Sequence, residues 1–197
     1  MSDSRTRDNL THFETSLADA LATFESLRAF ESRIAEAADI VLNCLTSGGK
    51  LLFCGNGGSA ADSAHIATEF TCRFQGNRRP YPAIALNTDG GLLTAIGNDY
   101  VFQDVFSRQV HAFGKPGDVL IAISTSGQSR NVFDAIEEAR KRDVRTIAFL
   151  GKNGGFTAGK AEIEFIVPGT ATARIQEGQK FLLHVLCELV EPRLPRE

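Results

Sequence analysis

The sequence predicts a doubly wound (flavodoxin-like) α/β fold: a five-stranded parallel sheet with helices on both faces, preceded by two N-terminal helices. Three observations predict it. Five short and almost wholly apolar runs lie between residues 51 and 167. Helical stretches separate most of them. A glycine cluster follows the first run where a helix begins. Strands buried on both faces by crossover helices read as continuous apolar runs, which is why this pattern indicates a parallel sheet.

The elements follow in order. Residues 8–46 read as helical, with Leu10, Phe13, Leu17, Leu21 and Phe24 at spacings of three and four. After a break near Ser26 to Ala29, Ile34, Ala37, Ala38, Val41, Leu42 and Leu45 repeat the same spacing, and Gly48-Gly49 ends the region. Strands are expected at 51–54, 83–86, 119–123, 146–150 and 163–167. Helices are expected at about 59–73, 90–97, 101–113, 129–142 and 172–191, the last stopping before Pro192. The whole chain, 1–197, reads as one domain, with helices over 1–47 and the parallel sandwich over 48–197. The apolar stripe of the first helix has no place in the sandwich. It is expected to pack against another subunit, the alternative being a cap on its own domain.

Bulk properties exclude several classes. A hydrophobic fraction of 43% and a charged fraction of 23% are ordinary for a globular protein. The net charge of −3 gives no reason to expect nucleic acid or an anionic membrane as partner. No apolar run approaches the roughly 18 residues of a membrane span. The N-terminal stretch MSDSRTRDNLTHFETS lacks the apolar centre of a secretory signal. The four cysteines, Cys44, Cys54, Cys72 and Cys187, show no CxxC spacing and read as reduced and mostly buried. A cytoplasmic protein is expected.

In an open parallel sheet, ligands bind beyond the carboxyl ends of the strands. Gly55-Asn56-Gly57-Gly58-Ser59 lies at such an end, directly before a helix. Its glycines allow positive φ and close approach of a ligand, Ser59 can cap the helix, and the free N–H groups of the helix start favour an anion. A tight turn with no ligand is the plainer alternative. Gly55, Gly57 and Ala60 also satisfy G-x-G-x-x-A. The acidic partner of that dinucleotide fingerprint would have to be Asp89, too far along, and there is no room for a separate substrate domain. The absence of G-K-[ST] excludes a P-loop. No nucleotide cofactor is expected. On the helix that follows, His65 and Glu69 are four residues apart and share a face.

A second loop follows the third strand. Ser124, Thr125, Ser126 and Ser129 supply four hydroxyls around Gly127, with a helix directly after. Hydroxyls together with helix-start N–H groups suit a phosphate monoester.

The two loops together resemble the sugar isomerase (SIS) domain, which binds phosphosugars, and within it the phosphoheptose isomerase family. The matching stretches are GNGGSAADSAHIATEF, RPYPAIALNTDGGLLTAIGNDY, FSRQV, GDVLIAISTSGQSRNV and ARIQEGQKFLLHVLCELVE, covering nearly everything after residue 48. The resemblance implies an aldose–ketose isomerisation of sedoheptulose 7-phosphate to D-glycero-D-manno-heptose 7-phosphate, a step toward bacterial surface polysaccharide. Such a reaction needs one group to take a proton from carbon and another to handle the oxygens. The resemblance assigns these roles to Glu69 and His184. It assigns substrate contacts to Asn56, Gly57, Gly58, Asn98, Asp99 and Gln176, and zinc, as in some members, to His65, Glu69, Gln176 and His184. Gln176 and His184 lie eight residues apart, about 12 Å of rise on a straight helix. Both can therefore reach one ion only if the helix bends, starts later than Gln176, or the side chains stretch toward the ion. Gln179 stands where members of the family often have His. The family also implies a homotetramer with sites where subunits meet.

Two other SIS readings compete. One is a non-catalytic phosphosugar-binding regulator associated with the replication initiator, which lacks the catalytic Glu and His; this chain carries both, as Glu69 and His184. The other is an arabinose 5-phosphate isomerase, in which a further regulatory module is expected after the sugar domain.

Overall fold

The computed structural model describes residues 2–196; Met1 and Glu197, the outermost positions of the expected domain, lie outside the described residues. Helix α1 (Ser2–Ser26) passes through a 3-10 turn, Leu27–Phe30, into α2 (Glu31–Thr46), so the break falls where the spacing changes phase. The remaining elements are β1 (Leu51–Gly55), α3 (Gly58–Thr71), β2 (Ala83–Ala85), α4 (Gly90–Asp99), α5 (Ser107–Phe113), β3 (Val119–Ser124), α6 (Arg130–Lys141), β4 (Arg145–Gly151), β5 (Ile163–Val167) and α7 (Thr172–Val190).

The five strands form one parallel sheet in the order β2-β1-β3-β4-β5. This is the flavodoxin-like order, and its topological switch point lies between β1 and β3, whose carboxyl ends carry the two loops singled out above. Alternate residues of each strand feed two separate cores. Phe53, Ile121, Phe149 and Phe165 pack with α2, α3 and α7 on one face. Leu52, Leu120, Ala122 and Leu150 pack with α5 and α6 on the other. Phe149 and Phe165, neighbours in register, stack with ring centroids 4.7 Å apart.

Two expectations needed correction. The helix expected over 101–113 is a 3-10 turn, Phe102–Asp104, followed by the short α5. The junction residues Val105 and Phe106 are both buried in the second core. Ser59 does not cap α3. Gly57, at φ +56°, occupies the cap position and lets the chain enter the helix early, so Ser59 lies inside the first turn and is buried.

Helix α1 meets the body through Phe24, edge-on to Phe181 of α7 at 5.3 Å, and through Arg174, which donates to the Ser16 carbonyl at 2.9 Å. Its Leu10, Phe13, Leu17 and Leu21 stay exposed, between 46% and 64%. Cys44, Cys54 and Cys187 are buried, and burial pushes each thiol up to about 12; Cys72 is exposed. Among the described residues no helix is long and apolar enough to cross a membrane.

Candidate active site

Helices α3 and α7 lie side by side on one face of the sheet. Each turns a polar stripe toward the other. On α3 the stripe is Asp62, His65 and Glu69, at spacings of three and four; on α7 it is Gln176, Lys180 and His184, at spacings of four. At one level the buried Asp62 accepts from Gln176 Nε2 at 2.7 Å and pairs with Lys180 Nζ at 3.3 Å. Further along, the rings of His65 and His184 meet edge-to-face with centroids 5.2 Å apart. His65 Nε2 lies 2.9 Å from Glu69 Oε1. An ionised carboxylate can only accept, so in this pair the imidazole donates from Nε2.

Three of the expected chemical groups thus converge: His65, Glu69 and His184. The burial of His184, with His65 and Lys180 beside it, holds its imidazole below the ordinary value, and this outweighs the opposing pull of Glu69 and Glu188. His184 is therefore neutral at pH 7. A further ring, Phe74, covers it at 6.0 Å.

Phe74 is placed by a half-buried carboxylate that sequence reasoning did not single out. Glu191 accepts from the backbone N–H groups of Phe74, Gln75 and Gly76 at 2.8, 2.7 and 2.9 Å and pairs with Arg78 Nε at 3.2 Å. Arg78 in turn donates to the carbonyls of Glu69 and Phe70 at the last turn of α3. The loop after α3 is thereby tied to the end of α7.

Gln176 lies apart from that convergence. α7 starts before it, at Thr172, and runs unbroken past His184, so the two are separated by the full rise expected of eight helical residues. Its amide is spread over Gly58, where an added Cβ would come within 2.5–2.8 Å of Nε2, Oε1 and Cδ. Gln179 faces the sheet instead of the site: it is 1% exposed and donates to the Phe149 carbonyl at 3.0 Å.

The glycine loop and the hydroxyl loop are joined directly. Asn56 Nδ2 donates to Asn131 Oδ1 at 2.8 Å, and Asn131 Nδ2 donates back to Asn56 Oδ1 at 2.9 Å. In the hydroxyl loop, Ser124 Oγ donates to Ser129 Oγ at 3.1 Å and accepts from the Gly127 N–H at 3.1 Å. Ser126 Oγ accepts from the Gln128 N–H at 3.1 Å. Thr125 stands between them, half-buried. Gly127, at φ +64°, presses against Gly154, where a Cβ would come within 2.0 Å of the carbonyl oxygen. Asn98 and Asp99 sit exposed at the end of α4 and bond each other at 2.8 Å. Among the described residues neither is hydrogen-bonded to the α3–α7 stripes.

Asp62, Lys180 and Asn131 were not foreseen. For the first two a signal existed, since each extends the helical spacing of a residue already chosen, Asp62 from His65 and Lys180 from Gln176 and His184. Asn131 carried none.

A model of the SIS domain family matches residues 12–151. The chain is 45% identical over 193 residues to a phosphoheptose isomerase of Shewanella sediminis, covering 96% of this chain and 95% of that protein. It is 53% identical over 160 residues to one of Thermodesulfovibrio yellowstonii, covering 81% and 80%. Among solved structures, the phosphoheptose isomerase of Neisseria gonorrhoeae superposes with a TM-score of 0.87 at 41% identity, covering 93% of this chain and 98% of that one.

Proposed function

The chain belongs to the SIS domain family, and on that footing we propose that it is a phosphosugar isomerase converting sedoheptulose 7-phosphate to D-glycero-D-manno-heptose 7-phosphate. The observation that carries this reading is the convergence of Glu69 and His184 about His65, on helices α3 and α7 that do not adjoin in sequence, α3 being the helix that starts at the glycine loop. The phosphate would occupy the loop of Ser124, Thr125, Ser126 and Ser129 at the start of α6, and the sugar the span from Asn56, Gly57 and Gly58 to Gln176, with Asn98 and Asp99 as further contacts. No nucleotide cofactor is needed, because the hydrogen moves within one molecule.

The chain's own groups account for the proton traffic. Glu69, held on one oxygen by His65, takes a proton from C1 of the ketose, while the C2 carbonyl oxygen gains one from solvent, giving an enediol; the proton that His184 later accepts from the C1 hydroxyl goes back to solvent, so the protein ends each turnover as it began. The same carboxylic acid returns a proton to C2, and the C1 hydroxyl proton leaves to neutral His184, giving the aldose. A positioned acid or base of this kind contributes about 10²–10⁴-fold.

Zinc is proposed on the chemistry of its donors, two imidazoles, a carboxylate and an amide oxygen from His65, Glu69, His184 and Gln176, although Gln is an unusual zinc ligand. The arrangement in this chain is not a closed shell. His65 and Glu69 bond each other, Gln176 is held by Asp62, and among the described residues no three His, Cys, Asp or Glu side chains have the mutual placement of a metal site. No step above passes through the ion. Metal analysis of the purified protein tests it.

We read residues 1–197 as a single SIS domain of a cytoplasmic homotetramer. The exposed stripe of Leu10, Phe13, Leu17 and Leu21 on α1 supports subunit packing. The deciding experiment mixes purified protein with sedoheptulose 7-phosphate and follows aldose formation. Turnover supports the enzyme; binding without turnover, with and without added zinc, supports a regulator.

A further inference from the structure

Asp62 is a carboxylate that the reaction does not use, yet it is buried at the centre of the α3–α7 contact. Burying a charge is costly unless it is paired and hydrogen-bonded. Here both oxygens are engaged, Oδ2 by Gln176 Nε2 at 2.7 Å and Oδ1 by Lys180 Nζ at 3.3 Å. What this does to Gln176 follows from the chemistry of the two groups. A primary amide donates at nitrogen and accepts at oxygen, and rotation by half a turn exchanges the ends with little change of shape. An ionised carboxylate accepts only. It therefore takes the nitrogen and leaves the oxygen as the end open to a ligand. Gly58 completes the setting, since any side chain there would collide with the amide.

We propose that Asp62 is a positioning residue that selects the oxygen end of the Gln176 amide for presentation beside the glycine loop. The selected end recognises a donor, such as a sugar hydroxyl or a cation, and turns away groups that only accept. Lys180 pairs with the second oxygen of Asp62 at 3.3 Å, so both carboxylate oxygens face donors and the Gln176 nitrogen is the end held. The inference rests on the isomerase reading for its kinetic consequence, but not for the amide orientation itself.

The test is a double-mutant cycle with a spectroscopic arm. Asp62→Asn keeps the shape and destroys the selection, because an asparagine can offer either end. In the wild-type background it should lower kcat for sedoheptulose 7-phosphate about 10–100-fold, the usual effect of removing a group that orients a ligand-contacting residue, with a melting temperature near that of wild type. In a Gln176→Ala background the same change should cost less than about twofold, because coupled residues are not additive. Independently of turnover, the Gln176 side-chain NH2 signals, assigned by their loss in Gln176→Ala, should lie downfield in wild-type protein and move toward free-amide positions in Asp62→Asn. Should Asp62→Asn not fold, Asp62→Ser enters the same cycle. Equal kinetic losses in both backgrounds, or an NH2 signal that Asp62→Asn leaves in place, would overturn the proposal. If wild-type protein turns over no heptose phosphate, the isomerase reading fails, and the amide signal still decides the role of Asp62.

Discussion

Asn56 and Asn131 exchange two side-chain hydrogen bonds, 2.8 and 2.9 Å long, across the switch point of the sheet. The pair joins the glycine loop after β1 to the first turn of α6, so the separation of the two loops proposed to hold the phosphosugar is fixed. Asn131 is 4% exposed, and its Oδ1 also accepts from the Val132 N–H at 3.0 Å. Asn131→Ala removes both bonds to the half-buried Asn56 amide and should cost about 1 kcal/mol of stability. It should also raise KM for the phosphosugar more than it lowers kcat. Thermal melts and steady-state kinetics check both.

Glu69→Gln and His184→Gln should each reduce kcat by about 10²–10⁴-fold while leaving the fold intact. Loss of the carboxylate removes the proton acceptor; loss of the imidazole removes the group that is neutral at pH 7 and able to take the hydroxyl proton. Circular dichroism should superpose on wild type, and a rate within about threefold of wild type for either variant would remove that residue from the chemistry.

Neighbouring glycines should respond differently to alanine. Gly57 has open space around its missing Cβ but sits at φ +56°, so Gly57→Ala should cost about 1–2 kcal/mol through backbone strain. Gly58 has no positive φ, but a Cβ would strike the Gln176 amide. Gly58→Ala should therefore act through that amide, lowering activity by displacing it and lowering the melting temperature through its broken bond to the buried Asp62 rather than through backbone strain. Melting curves and kcat for the two variants separate the effects.

Glu191 provides a pH signature. Burial opposes its ionisation, but three backbone N–H donors and Arg78 outweigh burial and hold it below the ordinary 4.5. A carboxylate with a depressed folded value binds fewer protons folded than unfolded. Its stabilisation is complete above the unfolded value and is lost as pH falls through the folded one. Glu191→Gln should lower the melting temperature at pH 7, and the gap to wild type should narrow steadily below about pH 4.5. A gap independent of pH would mean that packing, not charge, sets its contribution.

Charge on the α1 stripe tests the assembly. Leu17→Glu, together with Phe13→Glu, should leave the sheet intact and shift the mass measured by light scattering to a smaller species, because a buried unpaired carboxylate is costly at an apolar contact. An unchanged mass would place the subunit contact elsewhere.

The sequence by itself determined the architecture of this protein. Apolar runs such as 119–123, the three-and-four spacing of α1 and α2, and glycines at a strand end are local patterns, and hydrophobic burial reads them residue by residue. His65 and Glu69 were likewise legible as a pair because one helical turn brings them together. What only the tertiary structure decided was which polar ends meet over long separations: Asn56 with Asn131, 75 residues apart; Asp62 with Gln176, 114 apart; and Glu191 with the loop at Phe74, 117 apart. The break at Val105–Phe106 and the loss of Ser59 as a cap belong to the same class. Hydrogen bonds are directional and short, so a partner is chosen only after the sheet has set how α3, α6 and α7 lie beside one another, and no local pattern carries that information.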